Sequence, residues 1–376
     1  MISKKFIWNS HFELLRPLFE MWHSHIMSGS VVNVMNSRNY GCRITSDVVI
    51  KGNNVVIMEN NLLKMTILVD RGTDIIELLY KPKDIDFMWR SPVRLHKKAD
   101  YMSSNGDSLG NYLDHNSGGW QEILPSGGPQ CVYKNACIGM HGEVSNVPWA
   151  YEIVCDTEDK ITVAFDYTTL RSPFHIKKFI TLINNDATIY IEEELTNLAN
   201  EQMELMWGHH PVIGEPFLSE YCKIHTTAKT MFTLDREDFE TQRLPISKKA
   251  DWPIAEGKCG TMVDMSVIPA KDSGTADMLY LTDFSDCGTY EIMNDKIGLS
   301  IGMNWDKELF PYLWMWLVCN GSYGYPWYGR TYNLALEPWT SYSPDSLPGA
   351  INNNSALVID ARETIKTKIE FFVKEK

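Results

Sequence analysis

The sequence predicts an all-β chain, an antiparallel sandwich or barrel larger than an immunoglobulin domain. Strand-like apolar runs recur along most of the 376 residues, short polar turns separate them, and helical periodicity is scarce. Residues 1–40 stand apart as an N-terminal extension, partly helical, because Pro17 suits the first position of a helix running to Met27. Residues 41–376 contain neither a low-complexity linker nor a repeat, and read as a single domain.

Within that domain, NVVIMENNLLKMTILV (Asn54 to Val69) reads as two strands joined at Asn60-Asn61, a pair that tolerates the left-handed backbone of a hairpin turn. YEIVCDTEDKITVAFDY and FHIKKFITLINNDATIYIEEEL repeat the design, with polar turns at 156–159 and 184–186. LFPYLWMWLVC (Leu309 to Cys319) is too short for a bilayer, which takes about 20 apolar residues, and is expected to be a buried strand. ALVIDARETIKTKIEFFV reads as a last hairpin.

Composition narrows the setting. Apolar residues at 44% and charged residues at 22% are those of an ordinary globular protein. A formal net charge of −13 argues against nucleic acid or an anionic membrane as partner and favours a small, neutral or weakly charged one. The eight cysteines, at 42, 131, 137, 155, 222, 259, 287 and 319, form no Cys-x-x-Cys pair and no disulfide framework. Reduced thiols in a cytoplasmic protein are expected, and the first 22 residues hold no continuous apolar signal core. The sequence does not fix an oligomeric state.

Ionisable residues interrupt an aromatic context at four places: GGWQEILPSGG (118–128), GMHGEVSNVPW (139–149), WGHHP (207–211) and LEPWTSYSP (336–344). Neither a His-Glu-x-x-His helix nor another complete ligand set accompanies them, so no metal is expected. Adjacent side chains on a strand point to opposite faces, so at most one of His209 and His210 faces a common site. Aromatic faces beside directional hydrogen-bonding groups suit a carbohydrate. Trp120, Trp149, Trp207, Trp316 and Trp339 lie in or near these stretches, although tryptophans on strands are commonly core.

In their order and approximate spacing, GGWQEILPSGG, HGEV with PW, WGHHP and LEPWTS resemble the motifs of the aldose 1-epimerase (galactose mutarotase-like) superfamily, from about Asn54 onward. The resemblance implies a large antiparallel β-supersandwich, a sugar-binding cleft across its concave sheet, and catalysis without metal or organic cofactor. It also implies a reaction, interconversion of the α and β anomers of a free aldose. By the resemblance Glu337 is the catalytic base, His210 the general acid and His141 the second catalytic histidine. A carboxylate and an imidazole flanking the anomeric centre suffice for ring opening and closure.

Each residue also has a plainer reading: Glu337 as a strand-end carboxylate, His210 as a satisfied core histidine, His141 as a turn residue bonding backbone, His209 as structural. The family's arginine upstream of the first histidine is missing, since the chain there reads Pro125-Ser126-Gly127-Gly128. Gln121 and Glu122 in GGWQE, or Arg71, are candidates for the missing hydrogen bonds to substrate, each equally readable as structural, and Trp316 is the candidate platform for a sugar ring. The family's binding aspartate cannot be assigned among Asp283, Asp286 and others. The rival to a mutarotase is a non-catalytic carbohydrate-binding or sensing protein. A lyase or hydrolase is disfavoured, because no second carboxylate pairs with Glu337 at a scissile bond.

Overall fold

The computed structural model describes residues 38–100 and 107–376. The helix expected over residues 17–27 lies outside them. Two large sheets, in which every strand pairing is antiparallel, pack face to face around one apolar core. The first, here the cleft sheet, has twelve strands, and its middle runs in the order Asp74–Tyr80, Trp120–Ile123, Gly208–Ile213, Tyr332–Trp339, Tyr312–Cys319, Thr275–Thr282. The second, the back sheet, has eight. Its strand Thr364–Glu375 lies between Leu299–Trp305 and Thr188–Asn197.

The hairpins follow from local patterning. Phe174–Ile183 and Thr188–Asn197 alternate buried and half-exposed residues with the period of two that a strand with one solvated face requires. They turn through Asn185 in the left-handed region. At Asn60-Asn61 the turn is made differently from the expectation. Neither residue takes a positive φ; instead the Asn60 side-chain oxygen accepts from the amides of Leu62 and Leu63, closing an Asx turn. The last predicted hairpin is also corrected. Leu357–Ile359 pairs with Met203–Leu205 in a separate two-stranded sheet, while Thr364–Glu375 joins the back sheet. Long-range pairing overrides a local turn signal there.

Tyr312–Cys319, the apolar run read as a buried strand, is central in the cleft sheet. Its alternation assigns the two faces. Leu313, Met315 and Leu317 join the core, while Trp314 and Trp316 face the cleft. The cysteines at 131, 137, 155, 222, 259, 287 and 319 are free thiols. Among the described residues, no helix is long and apolar enough to cross a membrane.

Candidate functional site

Strand register builds the site. Gly208 pairs with Trp339 and Val212 with Ala335, which sets His210 opposite Glu337. The ladder between those pairs is interrupted at Pro211 and Pro338, which have no N–H to donate. On its other side His210 pairs with Gln121, while Glu337 pairs with Trp314 and Trp314 with Tyr280. Asp74 falls next to Gln121 by the Ile75–Trp120 pairing. One transverse row thus crosses the cleft face: Asp74, Gln121, His210, Glu337, Trp314, Tyr280.

His210 and Glu337 line a cleft of about 320 Å³ together with His141, Trp316, Trp327 and Tyr112. Glu337 Oε2 lies 2.9 Å from His210 Nδ1. The oxygen is off the direction of a hydrogen bond, so Nδ1 makes a close polar contact without a formed bond. The same Oε2 accepts a 3.0 Å hydrogen bond from Trp339 Nε1. Trp339 is stacked on Trp314, with ring centroids 4.3 Å apart, and lies against Gly208, where any side chain would collide with its ring. The carboxylate is therefore nearly fully buried yet anchored from below.

His141 reaches the cleft from a turn rather than from a strand. Its φ is +55°, and Gly142 follows at +82° with its α-carbon so close to Leu124 that a Cβ would sit 2.0 Å from the Leu124 carbonyl oxygen. The Gly128 amide donates to His141 Nδ1 at 3.3 Å, which assigns the proton of the neutral ring to Nε2. Burial, and then the neighbouring His210, pull the His141 imidazole below its ordinary value, so it is neutral at pH 7. Its ring stacks on His210 at 5.9 Å and 25° and packs on Tyr112 at 4.6 Å. Tyr112 is carried by the short helix Ser108–Leu113, which Asp107 caps by accepting from the Gly110 amide.

Trp316 lines the cleft, with its ring 5.8 Å from that of His210 and edge-on to Trp89. Arg71 and Gln121 do not line it. The Gln121 amide accepts from the Tyr112 hydroxyl and donates to Asp74 Oδ2 at 3.0 Å, so both of its ends are engaged inside the wall. Arg71 is buried and donates to the His115 carbonyl and to Ser117 and Asn146. The expected substrate-binding residues Gln121, Glu122 and Arg71 thus stand in the walls rather than in the lining of the cleft; both ends of the Gln121 amide are engaged there, whereas Arg71 Nε is buried without a partner. Beside them, burial raises the Asp74 carboxyl to about 7, against the pull of Arg71 and Gln121.

An arginine does border the cleft, but from elsewhere in the chain. Arg236 follows the strand Thr230–Phe232 and donates to Asp345 Oδ1 at 2.9 Å and to the Pro344 carbonyl at 2.6 Å. Asp238, raised by burial, stands on the same loop and also lines the cleft. Sequence motifs did not single out Arg236, Asp238, Trp327 or Tyr112, because each lies on a loop or short helix with no recurring spacing.

His209 points the other way, into the space between the sheets. It donates or accepts at Glu193 Oε2, 3.0 Å from its Nε2, while Lys178 Nζ lies 3.2 Å from Glu122 Oε2. Glu122 and His209 come from the cleft sheet, Lys178 and Glu193 from the back sheet, so the quartet pins one sheet to the other. Glu122, Glu193 and His209 offer ligand atoms within 4.8 Å of one another. A cation there would have to displace the Lys178 ammonium that already balances Glu122, and the quartet reads as a closed ionic network. Burial and the adjacent Glu122 raise the Glu193 carboxyl, while His209 and Lys178 overcome the effect of burial and hold Glu122 down.

Residues 50–373 match the family described as a domain of unknown function, DUF4432. The chain belongs to this family. The sequence matches no curated protein. Among solved structures, the DUF4432 chain is similar to a Klebsiella pneumoniae protein provisionally named an aldose 1-epimerase, at 14% identity and TM-score 0.68 over 89% of this chain and 83% of that one. It is similar to a galactose mutarotase-like protein from Clostridium acetobutylicum, at 14% identity and TM-score 0.61 over 89% and 99%. A galactose mutarotase related enzyme from Lactobacillus acidophilus gives 15% identity and TM-score 0.58 over 85% and 97%. The DUF4432 chain thus has the galactose mutarotase-like fold, almost entirely antiparallel β-sheet.

Proposed function

We propose that this chain is a mutarotase that interconverts the anomers of a free sugar by general acid–base catalysis. The observation that carries the reading is the buried contact between Glu337 and His210 on the cleft face, with His141 stacked beside it. Glu337 takes the proton of the C1 hydroxyl. The C1–O bond to the ring oxygen breaks as C1 becomes a carbonyl, and protonated His210 delivers a proton to that oxygen from Nε2, the nitrogen turned away from Glu337. Rotation about C1–C2 and the reverse transfers give the other anomer, so no atoms or electrons are gained or lost. Neutral His141 donates a hydrogen bond from Nε2, and the face of Trp316 supports the apolar side of the sugar ring.

One-dimensional exchange NMR on a panel of free aldoses tests this, because anomer exchange is seen without guessing a product. Exchange that Glu337→Gln abolishes supports the proposal. A sugar that binds without exchange makes the chain a carbohydrate-binding protein instead.

A further inference from the structure

We propose that a second sugar site adjoins the cleft and holds a neutral glycosyl unit attached to the aldose, so that the substrate is a reducing oligosaccharide or glycosylated aldose rather than a bare monosaccharide. The inference rests on the mutarotase reading of the first site. A second cavity of about 540 Å³ lies against the cleft, and Tyr112 and Met140 line both. Met140 is half-buried, and its unbranched side chain makes the partition deformable. The cleft alone, at about 320 Å³, is at the small end of ligand pockets, which run from about 300 to 1,000 Å³.

The chemistry of the second cavity favours a neutral saccharide. Its acid and base are already engaged in holding the walls. Glu143 accepts from the amides of Arg171 and Ser172, at 2.8 and 3.0 Å, and from the Ser172 hydroxyl at 2.6 Å. Arg171 Nη1 donates to the Cys137 carbonyl at 2.9 Å. These bonds tie the His141 turn to the segment around residue 171, so the cavity is pre-shaped. Ser108, Asn111 and Gln130 line it with neutral groups that both donate and accept, as sugar hydroxyls require. Apolar surface stands beside them. Tyr167 stacks on Trp149 at 6.0 Å and 22°, and Leu170 is 87% exposed at the cavity. A pyranose offers C–H faces to such surface and hydroxyls to the amides. Ring opening needs a free C1 hydroxyl within reach of Glu337 and of His210 Nε2, so the second unit is joined through a position other than C1 of the aldose.

Exchange NMR with maltose, cellobiose, lactose and melibiose, each against its reducing-end monosaccharide, decides the matter. At least one disaccharide is expected to show kcat/KM about tenfold above its monosaccharide, a difference worth one well-placed contact or more. The exposed-site variants Asn111→Leu and Leu170→Ser should each bring that ratio towards one. Disaccharides no better than monosaccharides, or a preference that survives both variants, would overturn the second site. If no sugar exchanges at all, the mutarotase reading fails, and saturation-transfer NMR on the same panel still judges this one. Disaccharide binding lost in Asn111→Leu keeps the second site, and no disaccharide binding removes it.

Discussion

Gly208→Ala is a perturbation remote from solvent whose effect on the site can be worked out in ångströms. A Cβ at Gly208 would stand 2.2 Å from Cδ2 of Trp339 and 2.5 Å from two further ring atoms. Ordinary contact begins at 3.4 Å, so the ring must retreat by at least 1.2 Å. Retreat is obstructed, because the far edge of the same indole lies where a Cβ on Gly127 would be only 2.6 Å away, and Trp314 is stacked on its face. Overpacking of this kind costs about 1–3 kcal/mol of stability. The shift also breaks the 3.0 Å hydrogen bond from Trp339 Nε1 to Glu337 Oε2. A hydrogen bond to a charged group is worth about 1.5–3 kcal/mol, which corresponds to a loss of roughly 10- to 150-fold in the anomer-exchange rate if the carboxylate is mispositioned. Urea unfolding and exchange NMR on the same preparation measure both effects. Trp339→Phe, which keeps most of the ring but removes the donor, should reproduce the rate loss with a smaller stability loss. A Gly208→Ala protein that exchanges anomers at the wild-type rate would refute the anchoring role given to Trp339.

Glu337→Gln and His210→Asn should each lower anomer exchange by about 10²- to 10⁴-fold while sugar binding survives, and equal rates in wild type and both variants would remove these residues from the reaction. The wild-type rate should be bell-shaped in pH, since the active form needs an ionised carboxylate and a protonated imidazole together, and a chelator should leave it unchanged. Burial lifts Asp74 to about 7, so between about pH 4 and 7 the folded state holds a proton that the unfolded state has lost, and stability falls as pH rises through that window. Thermal melts of Asp74→Asn should lack that fall, which amounts to roughly 2–4 kcal/mol, and an unchanged pH dependence would contradict it. Lys178→Met leaves Glu122 without its ammonium and should destabilise the protein by about 3–5 kcal/mol in urea, whereas a neutral result would mean the quartet does not hold the sheets.

What the sequence disclosed was periodic or local. The hairpins of Phe174–Asn197 and Ala150–Thr168 follow from alternation and turn residues, and the opposed directions of His209 and His210 follow from strand geometry alone. Glu337, His210, His141 and Trp316 were singled out, and all four line one cleft. Burial and pairing between distant segments were not legible. Arg71 and Gln121 look like ligands in one dimension because their residue types can bind sugar, but the Tyr112 hydroxyl and Asp74, brought up by other elements, occupy Gln121. The arginine that seemed to be missing near the first histidine has a candidate stand-in more than 90 positions away, on a loop with no motif to mark it. Nor did any spacing announce that Glu122, two residues from Trp120, would meet Lys178 and Glu193 across the core.

The strand Thr364–Glu375 is inserted between two neighbours, pairing Ile369 with Ile191 on one side and with Trp305 on the other. Until it docks, the back sheet is two fragments, of three strands and of four, each with an unsatisfied row of backbone groups along its inner margin. Such margins are templates for pairing with another chain. On its Thr188–Asn197 side the closing step joins segments well over a hundred residues apart, the kind of contact that forms slowly. A ribosome-bound or proteolysed chain lacking this segment therefore presents the same sticky border twice, and chaperone demand and aggregation should concentrate in that interval of synthesis rather than in the mature protein.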